Sequence, residues 1–214
     1  MSLYTPASFA VADRVAVARL MHDYPFATLV TPGTTEPAVS HVPLLFVPDS
    51  EPHGMLIGHV ARANPHWQRA THGESVALFH GPHAYVSPSW YEHPAKMVPT
   101  WNYAAVHAHG TLELIDDPEE KRQMLDVLVH RFESGRPAPW QFEMPPRERD
   151  AMIGAIVAFR MRIKRLDAKF KLSQNRSDED RARVVDGLQA DGHPDATATA
   201  EWMLAYANAR RRPA

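Results

Sequence analysis

The chain has 214 residues, long enough to bury a sizeable core as one large domain or as a domain with an appendage. It contains no cysteine, which excludes disulfides, iron–sulfur clusters and cysteine nucleophiles and fits a reducing compartment. The net charge of −2 gives no global basic excess for gripping duplex DNA, and apolar runs broken by proline, histidine or charge fall short of a membrane span.

In chain order, Met1–Phe9 shows no basic-then-apolar leader, so a cytoplasmic location is expected. Asp13 predicts the cap of a helix that turns Val17, Leu20 and Met21 inward and ends at Pro25. Strands follow at 26–31 and 39–47, the second placed at a sheet edge or a bulge by Pro43, and then at 55–60. Asn64-Pro65 reads as a helix start, with the helix running to about Thr71. Two more strands, 76–80 and one opening at Ala84, are separated by a Gly81-Pro82 turn. Residues 88–103, rich in proline and aromatics, have no clean period and read as an ordered loop.

A long strand is predicted at 105–115, a helix from Asp117-Pro118 to about Glu133, and a short helix at 147–155. The last strand, 156–166, alternates Val157, Phe159, Met161 and Ile163 with polar neighbours. Ser177 caps a polar helix to Gly187, and 195–209 forms an Ala-rich terminal helix. Six or seven strands with short connections predict a mainly β fold, a barrel with peripheral helices rather than a doubly wound sheet. The division expected is a barrel domain at 1–176 and a helical extension at 177–214. The chain shows neither a phosphate loop, a dinucleotide fingerprint nor a Gly-x-Ser-x-Gly elbow.

Four segments carry residue types suited to a ligand. In Gly58–Pro65 (GHVARANP) a strand runs into a helix start, where free N–H groups and the Arg62 guanidinium suit an anion; a solvated arginine beside an ordinary cap is the alternative. In His80–Tyr91 (HGPHAYVSPSWY) hydroxyls, imidazoles and aromatic faces suit a planar heterocycle, or equally an aromatic core turn. Val98–Tyr103 (VPTWNY) suits a flat ligand or a subunit interface. In Lys169–Arg176 (KFKLSQNR) the two lysines share one side of an extended segment, an anion clamp or a solvated basic face. His107 with His109, and His80 with His83, lack converging further ligands, so no metal site is expected.

These segments, with MSLYTPASF at the N-terminus, KMVPTWNYAAVHAHG and KFKLSQNRSDEDR, make the chain resemble the PaiB-like family of FMN-binding negative transcriptional regulators, over residues 1 to about 188. The resemblance implies a split β-barrel of the pyridoxamine-phosphate-oxidase type, a homodimer, and FMN held between subunits. It implies phosphate contact at Arg62 and Asn64 with His59 nearby, and a second phosphate-contacting strand at Tyr85–Ser87. On the second strand the oxidase relatives carry an arginine and a lysine around an apolar run, where Ser40-His41-Val42-Pro43-Leu44 here has neither. The full set of expected cofactor-binding residues is His41, His59, Arg62, Asn64, Tyr85, Ser87, Trp101, Asn102, Lys169, Lys171, Gln174 and Arg176. No catalytic residue is assigned. The family name implies repression, yet the segment 178–190 opens with acids and offers no basic recognition helix, so an indirect link to transcription is expected. A flavin-dependent oxidoreductase and, further off, a haem-binding split barrel are the alternatives.

Overall fold

A computed structural model describes residues 3–48, 53–70, 73–141 and 143–211. Parts of the expected 49–54 turn and the Thr71 end of the expected helix lie outside the described residues. The helices are α1 (Arg14–Asp23), α2 (Pro118–Glu133), α3 (Pro146–Gly154), α4 (Asp178–Asp191) and α5 (Pro194–Arg211). The strands are β1 (Phe26–Thr31), β2 (Ala38–Pro43), β3 (Leu45–Val47), β4 (Met55–Ala61), β5 (Ser75–Val86), β6 (Thr100–Ile115) and β7 (Ile156–Lys171). They form a seven-stranded sheet in the order β2-β1-β5-β6-β7-β4-β3.

The helices begin where side chains satisfy their first amides. Asp13 accepts from Val15 and Ala16 N–H at 2.9 and 3.2 Å, Asp117 from Glu120 N–H at 2.7 Å, and Ser177 from Asp180 N–H at 3.1 Å. The pairings β1–β2 and β4–β7 are antiparallel, running from Phe26↔Pro43 to Thr31↔Ala38 and from Met55↔Arg162 to Ala61↔Ile156.

Four local expectations are corrected. The strand expected at 39–47 is divided at Leu44, which is buried and whose N–H donates to the Pro25 carbonyl at 2.8 Å: residues up to Pro43 pair with β1, and Leu45–Val47 pair with β4. No turn interrupts β5 at Gly81-Pro82; the strand runs through, and its burial alternation changes phase there. Glycine at 81 serves close approach, since a Cβ would stand 3.0 Å from Leu20 Cδ1 and 3.2 Å from the Ala104 carbonyl oxygen. The helix expected after Asn64 is a 3-10 turn over Pro65–Arg69. The 88–103 loop holds two further 3-10 turns, Pro88–Trp90 and Pro94–Lys96, and already joins β6 at Thr100.

Two compact units share the chain, and β5, β6 and β7 contribute residues to both. The first holds residues 3–24, 79–107 and 167–211. Its core sets Phe170 edge-on to Trp202 and Tyr206, with ring centroids 5.6 and 5.3 Å apart, and buries Leu20, Met21, Phe79, Val184 and Leu188. The terminal helices α4 and α5 are thus built into this core. The second unit holds 25–48, 53–70, 73–78 and 108–166 with its described residues, and in it Ile57, Ile115, Met124, Leu128 and Ala158 form a cluster under α2.

Candidate functional site

In the second unit, the end of β4 is organised by a chain of buried hydrogen bonds. The Thr31 hydroxyl pairs with Ser75 Oγ at 2.7 Å and with His66 Nε2 at 2.8 Å, and His66 Nδ1 pairs with Ser40 Oγ at 2.9 Å. Asn64 donates to the same Ser40 oxygen at 3.0 Å and accepts from His66 N–H at 3.0 Å. With both ring nitrogens engaged and 3% exposure, His66 is held below the ordinary histidine pKa, first by burial and then by the nearby Arg69. Thr31, Ser40 and His66 are not marked in the sequence, because nothing in their spacing makes polar residues on two strands and a 3-10 turn neighbours.

The expected phosphate residues sit around this chain with their side chains already occupied. The Arg62 guanidinium donates through Nε to the Gly154 carbonyl at 2.7 Å and through Nη2 to the Ile156 carbonyl at 3.0 Å, and Arg62 N–H donates to the Ala155 carbonyl at 2.8 Å. Arg62 therefore ties the end of β4 to the end of α3, and its Nη1 has no hydrogen-bond partner among the described residues. Asn64 caps the 3-10 turn, so the free helical amides expected there are replaced by a five-residue turn with His66 N–H already bound. His41 is exposed on β2, bonded to Thr28 Oγ1 at 3.1 Å and stacked on Phe26. His59 differs from all of these. Its Nδ1 is buried without a hydrogen-bond partner among the described residues, and burial lowers its pKa.

The first unit holds the remaining expected residues and sets five of them in two groups. Trp101 and Tyr85, 53% and 45% exposed, meet edge to face at 6.2 Å with His83 beside Trp101 at 6.3 Å. They line a cleft of about 250 Å³ with Asp191, His193 and Asp195. Ser87 is spent as the cap of the Pro88–Trp90 turn, accepting from Ser89 N–H at 3.2 Å.

The second group is cationic. Lys169 Nζ donates to the Tyr4 carbonyl at 3.0 Å and stands over the rings of Tyr4 and Tyr103, and the residue is only 8% exposed. Lys171 Nζ donates to Thr100 Oγ1 at 2.7 Å and to the Trp101 carbonyl at 2.5 Å, over the Phe9 ring. The Arg176 guanidinium lies 5.3 Å from the Tyr91 ring centre. Burial, with Lys169 and Arg176 nearby, pushes the Lys171 ammonium below the ordinary lysine pKa. The supporting tyrosines and Phe9 were not anticipated, since they come from distant segments.

Asn102 and Gln174, both expected cofactor contacts, help to build the turn after β7. Asn102 is fully buried and bonded to Ser173 Oγ and Met203 Sδ. Gln174 accepts from Leu172 N–H at 2.7 Å and donates to the Phe170 carbonyl at 2.5 Å.

Residues 3–165 match the family described as "Putative FMN-binding domain". The Bacillus subtilis "Protease synthase and sporulation protein PAI 2" is 33% identical over 204 residues, covering 94% of this chain and 96% of that protein. The chain belongs to this PaiB-like FMN-binding family.

Solved structures agree on the fold. The FAD and heme binding protein from Mycobacterium smegmatis superposes with a TM-score of 0.60 at 21% identity, covering 81% of this chain and 78% of that one. The flavocytochrome Anf3 from Azotobacter vinelandii gives 0.61 at 17%, covering 81% and 75%. The fold is the expected mainly β split barrel with peripheral helices, and the family's cofactor is FMN. The donor set suits such a group: His59 Nδ1 has no hydrogen-bond partner among the described residues, and Arg62, three positions on, has two guanidinium bonds to carbonyls and none at Nη1.

Proposed function

We propose that this protein is a homodimeric, cytoplasmic FMN-binding module that acts in regulation or sensing, with an indirect link to transcription. The observation that carries this reading is likeness to PAI 2 along nearly the whole length of both chains, in a relative named for protease synthesis and sporulation. His59, Arg62 and Asn64 would hold FMN, the open Nη1 of Arg62 taking the phosphate. When bound, FMN supplies reversible redox chemistry and a visible chromophore. The chain's own part is to hold that segment rigid, which the Thr31–His66–Ser40–Asn64 hydrogen bonds accomplish.

Trp101, Tyr85 and Val98 are exposed on the first unit, and a second copy of the chain would cover such rigid aromatic area. Electrostatics favour an indirect link to transcription: the net charge is −2, and α4 opens with Asp178, Glu179 and Asp180.

The test is purification followed by an absorbance scan with added FMN, and sedimentation at micromolar concentration. A flavin spectrum with stoichiometric binding and a dimer are expected. A haem spectrum, no flavin uptake, or a monomer alone would overturn the corresponding part. Rapid, saturable oxidation of a nicotinamide cofactor by the loaded protein would favour an enzyme over a sensor.

A further inference from the structure

We propose that Lys171, Arg176 and Lys169 form a binding site for a phosphate monoester. The site is assembled by β7 and the turn that follows it. Lys169 and Lys171, two residues apart on a strand, project to the same face. Ser173 then takes a left-handed conformation, φ 62°, and Arg176 N–H donates to the Ser173 carbonyl at 3.0 Å, so the chain turns there and brings the Arg176 backbone back to the end of β7. Serine in this conformation is strained, and the strain is held by Asn102 and Gln174.

Charge accounting then points to a ligand. Among the described residues no carboxylate pairs with any of the three cations. Their partners are carbonyls, one hydroxyl and aromatic faces. Ring faces soften the desolvation of a cation, but like charges gathered around a buried Lys169 and a half-buried Lys171 and Arg176 without a counter-ion are unfavourable. Lys171 has used two of its three N–H donors and Lys169 one, while the Arg176 guanidinium makes no hydrogen bond among the described residues. A dianion facing these donors would complete the charge balance, and a fork-shaped guanidinium beside an ammonium matches phosphate oxygens.

The phosphate has two possible sources, the one carried by FMN and that of a second phosphorylated ligand. The experiment uses the full-length protein with Lys171→Met and Arg176→Met, which remove charge and keep the stem. Inorganic phosphate, FMN and riboflavin are titrated, and thermal midpoints are recorded with and without phosphate. Phosphate is expected to stabilise the parent and to bind each variant at least tenfold more weakly. Without phosphate, each variant should melt no lower than the parent, since the repulsion is relieved; a purely structural role would lower the midpoint.

If the variants weaken FMN tenfold and leave riboflavin unchanged, the site takes the FMN phosphate. If both flavins bind as in the parent while inorganic phosphate is lost, the site serves a second ligand. If phosphate binds parent and variants equally, or none of them, and FMN is unaffected, the proposal is overturned. A parent that takes no flavin yet loses phosphate binding with Lys171→Met would end the FMN reading and leave this site standing.

Discussion

Asn102 and Ser173 lie 71 positions apart and share two hydrogen bonds in the interior, Asn102 Nδ2 to Ser173 Oγ at 3.0 Å and Ser173 Oγ to Asn102 Oδ1 at 3.3 Å. The pair matters because Ser173 occupies a left-handed backbone conformation that costs a non-glycine residue about 1–2 kcal/mol. The end of β6 that carries Asn102 thereby sets the turn that carries Arg176.

Asn102→Ala should lower stability by about 1–3 kcal/mol, the cost of leaving a buried hydroxyl without its partner. Ser173→Gly should cost less, because the relaxed backbone offsets part of the cost of leaving the buried Asn102 Oδ1 without its partner. Urea unfolding of both variants checks the order. A larger loss for Ser173→Gly would mean that the turn is not strained.

Gly187 sits in the middle of α4 because the Trp90 indole lies on it. A Cβ there would stand 2.4 Å from Trp90 Cδ2. On propensity alone, alanine would favour the helix by about 1 kcal/mol. Here Gly187→Ala should destabilise by about 1–3 kcal/mol through overpacking, and should shift tryptophan emission as Trp90 is displaced. Adding Trp90→Ala should return part of the loss.

Stability should fall as pH drops below about 6.5, the ordinary histidine value. His59 and His66 are both held neutral by burial, so their folded pKa values lie lower. Above that pH the folded and unfolded chains bind equal protons at these sites, and the stabilisation is complete. Below it the unfolded chain takes up protons that the folded chain refuses, at up to about 1.4 kcal/mol per pH unit for each histidine. Unfolding curves at pH 7.5, 6.5 and 5.5 measure the slope. His66→Gln should shallow it, and an unchanged slope would remove His66 from the account.

Arg62→Ala separates a phosphate contact from a brace. Through its open Nη1, Arg62 is expected to strengthen FMN about 10- to 100-fold and riboflavin hardly at all. The same change should lower the melting temperature, because the bonds to Gly154 and Ile156 go with it. Arg62→Lys keeps a charge but loses the two-carbonyl span, so it should retain more FMN affinity than alanine while melting early. Equal losses for both flavins would assign Arg62 to bracing alone.

Much of the fold was legible along the chain. Asp13, Asp117 and Ser177 mark helix starts because a short polar side chain satisfies amides two or three residues on, an interaction wholly contained in local sequence. The strands likewise followed from alternation, as at Val157, Phe159, Met161 and Ile163 on β7. The aromatic-rich strings, matched in order along the chain, led to the FMN-binding family.

Other features depended on what stands opposite. Gly81-Pro82 has the composition of a turn, yet β5 passes straight through, because Leu20 and Ala104 crowd a position only glycine fits. Asn64-Pro65 has the composition of a helix start, yet His66 is drawn inward by Thr31 and Ser40 and the turn closes after five residues.

The roles of individual polar residues were the least legible. Sequence alone determined which residues here could bind an anion or a flat ring: the lysines, Arg62, Arg176, Asn102, Gln174, Trp101 and Tyr85. Only the tertiary structure decided which of them are already engaged. Asn102, Gln174, Ser87 and most of Arg62 satisfy groups inside the protein, while Lys171 and Arg176 retain open donors. The reason is physical. A side chain's donors and acceptors are properties of its residue type, but whether they are spent depends on neighbours brought from as far as 165 positions away, as Tyr4 is to Lys169, by burial of apolar surface, which is non-directional and leaves no local mark on the polar residues it encloses.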